Sequence, residues 1–209
     1  LMFQFNFTGV VRHLIIFNVI FFFGSYVILE TLPVIDFSRS DLAAFIPGSP
    51  QFRPWQVFTY MFMHATFIHL FFNMLMLLMF GPMVEMQLGT KRFLFYYLFC
   101  GVGAYLVYLG IEAWRIAQAG GDPYDSVTSM VGASGAIYGV LAAFMALFPD
   151  FEIRLIFLPI PFRARYFILF LILTEWFSGA RAAGGNVAYM AHFGGALFGL
   201  ILLAFWYRK

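Results

Sequence analysis

Residues 187–207 read VAYMAHFGGALFGLILLAFWY, a run of 21 residues in which one histidine is the only side chain that titrates near neutral pH. An α-helix needs about 20 mostly apolar residues to cross the hydrocarbon core of a bilayer. The run is therefore predicted to be a membrane span. Its histidine, His192, is a candidate functional residue, because polar groups at membrane depth are costly.

The composition extends this pattern to the whole chain of 209 residues, of which 63% are hydrophobic and 11% are charged. A soluble domain carries about 25% charged residues, so an ordinary soluble enzyme is excluded. A disordered chain would be rich in charge and poor in apolar residues, so it is excluded as well. The net charge of +2 gives no indication of a nucleic acid partner. A single cysteine, Cys100, rules out an intrachain disulfide.

Six segments are long and apolar enough to be predicted as transmembrane helices. No internal repeat or low-complexity linker divides them, so residues 1–209 are predicted to form one domain. The first span is not expected to be a cleaved signal, because no A-x-A site follows it. The predicted fold class is an all-α membrane protein, a bundle of six transmembrane helices that cover residues 10–30, 57–80, 93–114, 133–149, 163–180 and 187–207.

The distribution of basic residues predicts the orientation, because cytoplasmic loops carry an excess of Lys and Arg. With both termini inside, eight basic residues fall on the cytoplasmic side and four on the outer side. Both termini are therefore predicted to be cytoplasmic. We expect a multi-pass protein of a bacterial cell (inner) membrane, with its active site open to the outside.

Two connecting segments are predicted to lie at the membrane surface. Residues 42–47, LAAFIP, are apolar and suit a short amphipathic segment in the interface. Residues 151–161, FEIRLIFLPIP, alternate at first and contain two prolines. This pattern favours an extended segment over a helix.

Polar residues are concentrated in the three spans that enter from the outer side, the second, fourth and sixth. The second span contains His64, His69 and Asn73, and the fourth begins with GASG at residues 132–135. The fourth span is too short to reach the outer surface. We therefore predict a water-filled cavity open to the outside, since irregular backbone at membrane depth is tolerated only beside protein or water.

These polar residues have a packing explanation and a catalytic one. Small residues let helices approach closely, and a histidine can simply hydrogen-bond between helices. Their co-occurrence favours catalysis, because Ser134 supplies a nucleophile and His192 a general base. His69 and Asn73 are four residues apart and share one helix face, where both can donate to an oxyanion.

Four motifs follow one another along the spans: His64-x4-His69-x3-Asn73, Gly81-x3-Glu85-x3-Gly89, Gly132-Ala133-Ser134-Gly135-x2-Tyr138 and His192-x2-Gly195-x3-Gly199. In this order they resemble the rhomboid family of intramembrane serine proteases. The resemblance covers nearly the whole chain and implies a rhomboid-like fold. It also implies a serine endopeptidase that uses a Ser–His dyad within the membrane.

The resemblance assigns a role to each matching residue. Ser134 would attack the scissile carbonyl and His192 would take its proton, and no acid near His192 in the sequence offers a third member. The side chains of His69 and Asn73 would form the oxyanion hole with the backbone N–H of Ser134. The supporting residues are His64 in the cavity, Tyr138 against the imidazole ring, and Gly132, Gly135, Gly195 and Gly199.

The family also places bulky side chains between the second and fifth spans, at a lateral substrate entry. Phe72 and Trp176 fall at these positions, and lipid-facing aromatic residues are the alternative explanation. Glu175 has no assigned role and is expected to reach water. One position departs from the family, which commonly carries Trp-Arg before the second span where this chain has Trp55-Gln56. The role of the arginine is therefore not carried over.

By resemblance, the substrates are single-span membrane proteins cut near the outer face of the bilayer, and no metal or cofactor is expected. A zinc protease of the H-E-x-x-H type lacks its motif, and every aspartate lies in a loop, which argues against an aspartyl protease. An inactive rhomboid-like protein that binds membrane clients is the main non-enzymatic alternative, although both Ser134 and His192 are retained. A small transporter would show repeated halves or broken helices. The oligomeric state stays open.

Overall fold

The computed structural model describes residues 9–31, 38–155, 158–181 and 187–208. Its regular structure within these ranges consists of helices joined by short 3₁₀ turns, with one two-stranded hairpin. In chain order the elements are α1 (Gly9–Thr31), α2 (Gln56–Thr59), α3 (Phe67–Leu88), α4 (Thr90–Ala119), α5 (Ser134–Leu147), β1 (Glu152–Leu155), β2 (Leu158–Arg163), α6 (Ala164–Arg181) and α7 (Val187–Trp206).

Four of the described helices are long and apolar enough to cross a membrane. They are α1 over Gly9–Val27, α3 and α4 over their whole lengths, and α7 over Tyr189–Trp206. The prediction of membrane helices is confirmed for these four. The apolar helix α5 has 14 residues and is shorter than a full span, and α6 occupies the position of the fifth predicted span.

The second predicted span, 57–80, has the wrong boundaries. Its first part forms α2, a 3₁₀ helix over Tyr60–Phe62 and a short non-helical stretch, and the long helix α3 begins only at Phe67. The reason is a helix cap, because Oγ1 of Thr66 accepts a hydrogen bond from the backbone N–H of His69 at 3.1 Å. α3 then continues to Leu88, eight residues beyond the predicted end.

One segment of the mainly helical chain forms strands. Strands β1 and β2 pair in an antiparallel hairpin, in which Glu152 lies opposite Arg163 and Ile153 lies opposite Phe162. The hairpin begins in the connection predicted to be extended, continues two residues beyond it to Arg163, and joins α5 to α6. Charged and apolar residues alternate along β1, and this period of two suits a strand.

The first loop packs against the rest of the protein, and its predicted place in the membrane interface stays a prediction. Ala44 exchanges two backbone hydrogen bonds with Met130, of 2.9 and 3.0 Å. Residues 43–46 are all buried. The bonds satisfy loop backbone groups that burial would otherwise leave without partners. They also hold the segment that leads into α5.

A buried carboxylate joins α3 to the beginning of α1. Glu85 accepts hydrogen bonds from the backbone N–H groups of Val10 at 2.8 Å and Val11 at 3.0 Å. The first N–H groups of a helix have no acceptor within the helix, and a negative charge complements the helix dipole there. The second motif in the sequence therefore holds α1 against the core.

Small residues let α7 pack closely on both α4 and α5. A Cβ atom built on Gly195 of α7 would overlap the carbonyl oxygen of Gly135 in α5. A Cβ atom on Gly199 would instead overlap the hydroxyl of Tyr96 in α4. Gly195 thus lies at the predicted approach of the sixth span to the fourth, whereas Gly199 faces the third span.

Candidate active site

Ser134 and His192 lie 58 positions apart in the chain and are in direct hydrogen-bond contact. Ser134 is the first residue of α5, and His192 lies near the beginning of α7. The distance from Oγ of the serine to Nε2 of the imidazole is 2.7 Å. Both residues are partly buried. The close packing of the two helices brings a candidate nucleophile to a candidate base.

An aromatic ring fixes the plane of the His192 imidazole. Tyr138 lies one turn after Ser134 in α5, and its ring stacks on the imidazole with centroids 4.6 Å apart and planes 3° apart. Tyr189 approaches the same imidazole edge-on at 6.5 Å. Stacking of this kind restricts rotation of the imidazole, so Nε2 stays directed at the serine.

The second imidazole nitrogen contacts an acid that lies 17 positions away in the sequence. Nδ1 of His192 lies 3.1 Å from Oε2 of Glu175 in α6. No role for Glu175 followed from the sequence, and its side chain is partly buried, with 27% exposure. A carboxylate inside an apolar segment was the available signal in the sequence, because such groups at membrane depth carry a default expectation of function.

His69 borders the same space as Ser134. A Cβ atom built on Gly132 would lie 2.9 Å from Nε2 of His69 and 3.4 Å from Oγ of Ser134. Nδ1 of His69 accepts a long hydrogen bond of 3.4 Å from the backbone N–H of Ala65. A neutral imidazole that accepts at Nδ1 carries its proton on Nε2. The ring therefore presents a donor to the space beside Gly132.

Asn73 lies one turn further along α3. Its Nδ2 donates one hydrogen bond, of 2.9 Å, to the carbonyl oxygen of His69. An amide nitrogen carries two hydrogens, so the second remains for another acceptor. The residue is buried, with 6% exposure. The structure thus places Asn73 beside His69 on α3.

His64 is fully buried beside His69, with the two rings in an edge-on contact at 5.1 Å. Neither ring nitrogen of His64 has a hydrogen-bond partner among the described residues. Burial, followed by the neighbouring His69, lowers the pKa of His64 to about 4, so the ring is neutral at pH 7. Its carbonyl oxygen accepts a hydrogen bond from Nη2 of Arg39 at 2.8 Å, which ties the first loop to this turn.

Gln56 anchors the first loop at the position where the sequence departs from the family pattern. Its side chain is fully buried, accepts a hydrogen bond from the backbone N–H of Arg53 at 3.0 Å and donates one to the carbonyl of Gln51 at 2.8 Å. Nε1 of Trp55 donates to the carbonyl of Asp41 at 2.8 Å. A neutral amide thus holds the loop here, and the sequence pattern did not reveal this.

Of the two residues expected at the substrate entry, the structure describes the side chain of one. Phe72 on α3 is 57% exposed. Trp176 belongs to α6, but its side chain lies outside the described part of the chain.

Within the described ranges, no three His, Cys, Asp or Glu side chains lie close enough to hold a metal ion.

The fold and the site define a polytopic helical membrane protein with a hydrogen-bonded serine–histidine pair between two of its helices. The family model described as the Rhomboid domain matches residues 51–209. The chain belongs to the rhomboid family, and the resemblance seen in its motifs is confirmed.

Several curated proteins are similar to the chain over their rhomboid regions. Rhomboid protein 1, mitochondrial, of Saccharomyces cerevisiae is 34% identical over 67% of this chain and 38% of its own length. Rhomboid-like protease 3 of Toxoplasma gondii is 24% identical over 80% of this chain and 57% of its own. Rhomboid-like protein 11, chloroplastic, of Arabidopsis thaliana is 30% identical over 73% and 52%. The chain spans about half the length of the relatives it matches.

The expectation of a bacterial inner membrane is wrong. The yeast and Arabidopsis relatives are named as mitochondrial and chloroplastic, which points to organellar membranes. The asymmetry of basic residues predicts only which side of the bilayer a loop lies on. It does not identify the cell or organelle to which the membrane belongs.

Proposed function

We propose that the chain is an intramembrane serine endopeptidase that hydrolyses peptide bonds in or near the transmembrane segments of membrane proteins. Ser134 is the nucleophile and His192 the general base. The observation that supports this most directly is the 2.7 Å hydrogen bond between Oγ and Nε2. Membership of the rhomboid family supports it independently, and one relative is named as a protease.

In the first half of the reaction, Oγ of Ser134 attacks the scissile carbonyl carbon while Nε2 of His192 accepts the hydroxyl proton. The tetrahedral intermediate collapses as the C–N bond breaks, and the imidazolium gives the proton to the leaving amine. In the second half, water attacks the acyl-enzyme and gives a proton to Nε2. The second tetrahedral intermediate collapses as the C–Oγ bond breaks, and the imidazolium returns this proton to Oγ, which restores the serine.

The oxyanion of the tetrahedral intermediate is stabilised beside Gly132. Its donors are the backbone N–H of Ser134, the Nε2–H of His69 and the second amide hydrogen of Asn73. Ser134 opens α5, and the first N–H groups of a helix have no acceptor within the helix. Donors aimed in advance at a developing negative charge are among the largest contributions to such catalysis.

Gly132→Ala tests this placement. A methyl group at residue 132 would fill the space between His69 and Ser134, and the φ of +127° disfavours any side chain there. We expect kcat/KM for cleavage of a single-span substrate in liposomes to fall by about 10²–10³-fold, as when an oxyanion donor is lost. Gly120→Ala is the matched control, since Gly120 also has a positive φ but has open space around it. Equal activity in both variants would contradict the oxyanion site.

Substrates are single-span membrane proteins in the surrounding bilayer, and they enter between α3 and α6 near Phe72 and Trp176. The exposure of Phe72 supports an opening on that side. A helical substrate must unwind first, because its carbonyl groups are held in i→i−4 hydrogen bonds.

Residues 1–209 act as one domain of six spans, with both termini on the more basic side of the membrane.

A serine-reactive fluorophosphonate probe tests the proposed chemistry without a known substrate. We expect the purified protein in detergent to be labelled at Ser134, as located by peptide mass spectrometry. Labelling should be lost in Ser134→Ala and slowed by about 10²-fold or more in His192→Ala, because the hydroxyl needs its base. A native protein that binds membrane clients but resists the probe would favour the inactive, client-binding alternative.

A further inference from the structure

We propose that Glu175 is a positioning residue for His192, so that this site works as a Ser134–His192–Glu175 triad. The proposal rests on the serine-protease function above. The imidazole is engaged at both ends, with Nδ1 3.1 Å from the Glu175 carboxylate and Nε2 2.7 Å from the serine hydroxyl. Each of the three residues lies on a different helix.

The carboxylate decides which nitrogen of His192 carries the proton. A neutral imidazole has one N–H, and an ionised carboxylate can only accept a hydrogen bond. Glu175 therefore holds the proton on Nδ1 and leaves the lone pair of Nε2 free for the proton of Ser134. In the other tautomer, Nε2 would carry the proton and could not act as a base.

The same carboxylate faces the positive charge that appears during the reaction. When His192 accepts the serine proton it becomes an imidazolium, and an adjacent carboxylate stabilises that charge without taking the proton. Charge-assisted hydrogen bonds of this type are stronger than neutral ones. Glu175 thus favours both the reactive form of the free enzyme and the protonated form that follows attack.

Contacts around Glu175 point it into the site. The Glu175 carboxylate contacts Nδ1 of His192, and the Tyr138 ring stacks on the same imidazole. The side chains of Glu175 and His192 are 27% and 17% exposed. The acid therefore contacts the site through His192, and the triad is complete only while α6 is packed against α7.

Cleavage kinetics of Glu175→Gln test the proposal. The neutral amide keeps the shape of the side chain but can present either a donor or an acceptor to Nδ1. We expect kcat for a single-span substrate in liposomes to fall by about ten- to hundredfold. KM should stay within about twofold, because Glu175 acts on the chemical step and not on binding. Glu175→Asp, which keeps the charge, should retain more activity than Gln.

The matched control is Thr174→Ala, since Thr174 is exposed on the same helix and its hydroxyl bonds to Leu171 of α6. It should leave kcat unchanged. A purely structural role for Glu175 would lower the melting temperatures of the Gln and Asp variants together and change their rates equally. Rescue by Asp at an unchanged melting temperature therefore separates positioning from folding.

A spectroscopic measurement decides the tautomer without any activity. In protein labelled with ¹⁵N-histidine, the His192 signal is assigned by its loss in His192→Gln. We expect the native ring to carry its proton on Nδ1 and the Glu175→Gln ring to show a mixture. A native cleavage rate with an unchanged tautomer in Glu175→Gln would overturn the triad and leave the dyad intact. Absence of cleavage and of probe labelling in the native protein would instead refute the proposed function.

Discussion

Replacement of Ser134 by alanine is expected to reduce substrate cleavage by about 10⁴-fold or more. Removal of the nucleophile of a serine protease leaves only the rate that oxyanion stabilisation and substrate binding provide over water. His192 cannot compensate, since its Nε2 is directed at Oγ and no other described hydroxyl hydrogen-bonds to that nitrogen. The measurement is the rate of fragment appearance from a single-span substrate in liposomes.

The fold should tolerate this change, because Ser134→Ala removes one partly buried hydroxyl and leaves the α5–α7 packing intact. The melting temperature should therefore stay close to that of the native protein. Ser40→Ala serves as the matched control, since Ser40 is an exposed serine of the first loop, and it should cleave at the native rate. If Ser134→Ala retained more than about 1% of native cleavage, the nucleophile would have to be another residue.

The length and apolarity of a segment predict the parts of the fold that do not depend on contacts with other segments. Helices α1, α4 and α7 were predicted because length and apolarity alone make a span. The beginning of α3 was missed because it depends on one capping hydrogen bond at Thr66, and apolar residues extend to both sides of it. The β1–β2 hairpin was missed because strand pairing is a contact between segments, and periodicity gives only the extended form.

The candidate site likewise contains residues that short motifs reveal and residues that only contacts between helices reveal. The motifs that contain Ser134, His69 and His192 are short and recognisable in one dimension, so the sequence singled them out. Glu175 belongs to none of them, and its contact with His192 depends on how α6 is rotated about its own axis against α7. The bonds of Gln56 likewise come from a folded loop. A single sequence therefore does not reveal the role of residues that act through contacts formed only in the folded chain.

Gly195→Ala is expected to cause a large loss of both stability and catalysis. A methyl group at residue 195 would meet the carbonyl oxygen of Gly135, and backbone cannot move aside as a flexible side chain can. Overpacking of this kind costs about 1–3 kcal/mol of the free energy of unfolding. Differential scanning fluorimetry in detergent should therefore show a lower melting temperature than that of the native protein.

The loss of catalysis should exceed what the loss of stability explains. Gly195 lies one turn after His192, and Gly135 directly follows Ser134, so any separation of α5 from α7 acts on the 2.7 Å Oγ–Nε2 bond itself. A displacement of about 1 Å is enough to cost 10²-fold in rate. We expect at least that loss of kcat at a temperature where the variant is still folded.

Two further glycine variants test whether the distance between α5 and α7 causes the loss of kcat. Gly110→Ala lies in α4 with nothing within 4 Å of the added methyl group, so it should keep native activity and native stability or better. Gly199→Ala would press on Tyr96 of α4 instead of on α5, so it should lower the melting temperature with a smaller loss of kcat. If Gly195→Ala and Gly199→Ala lost kcat equally at equal stability, the distance between α5 and α7 would not be what sets the geometry of the serine–histidine pair.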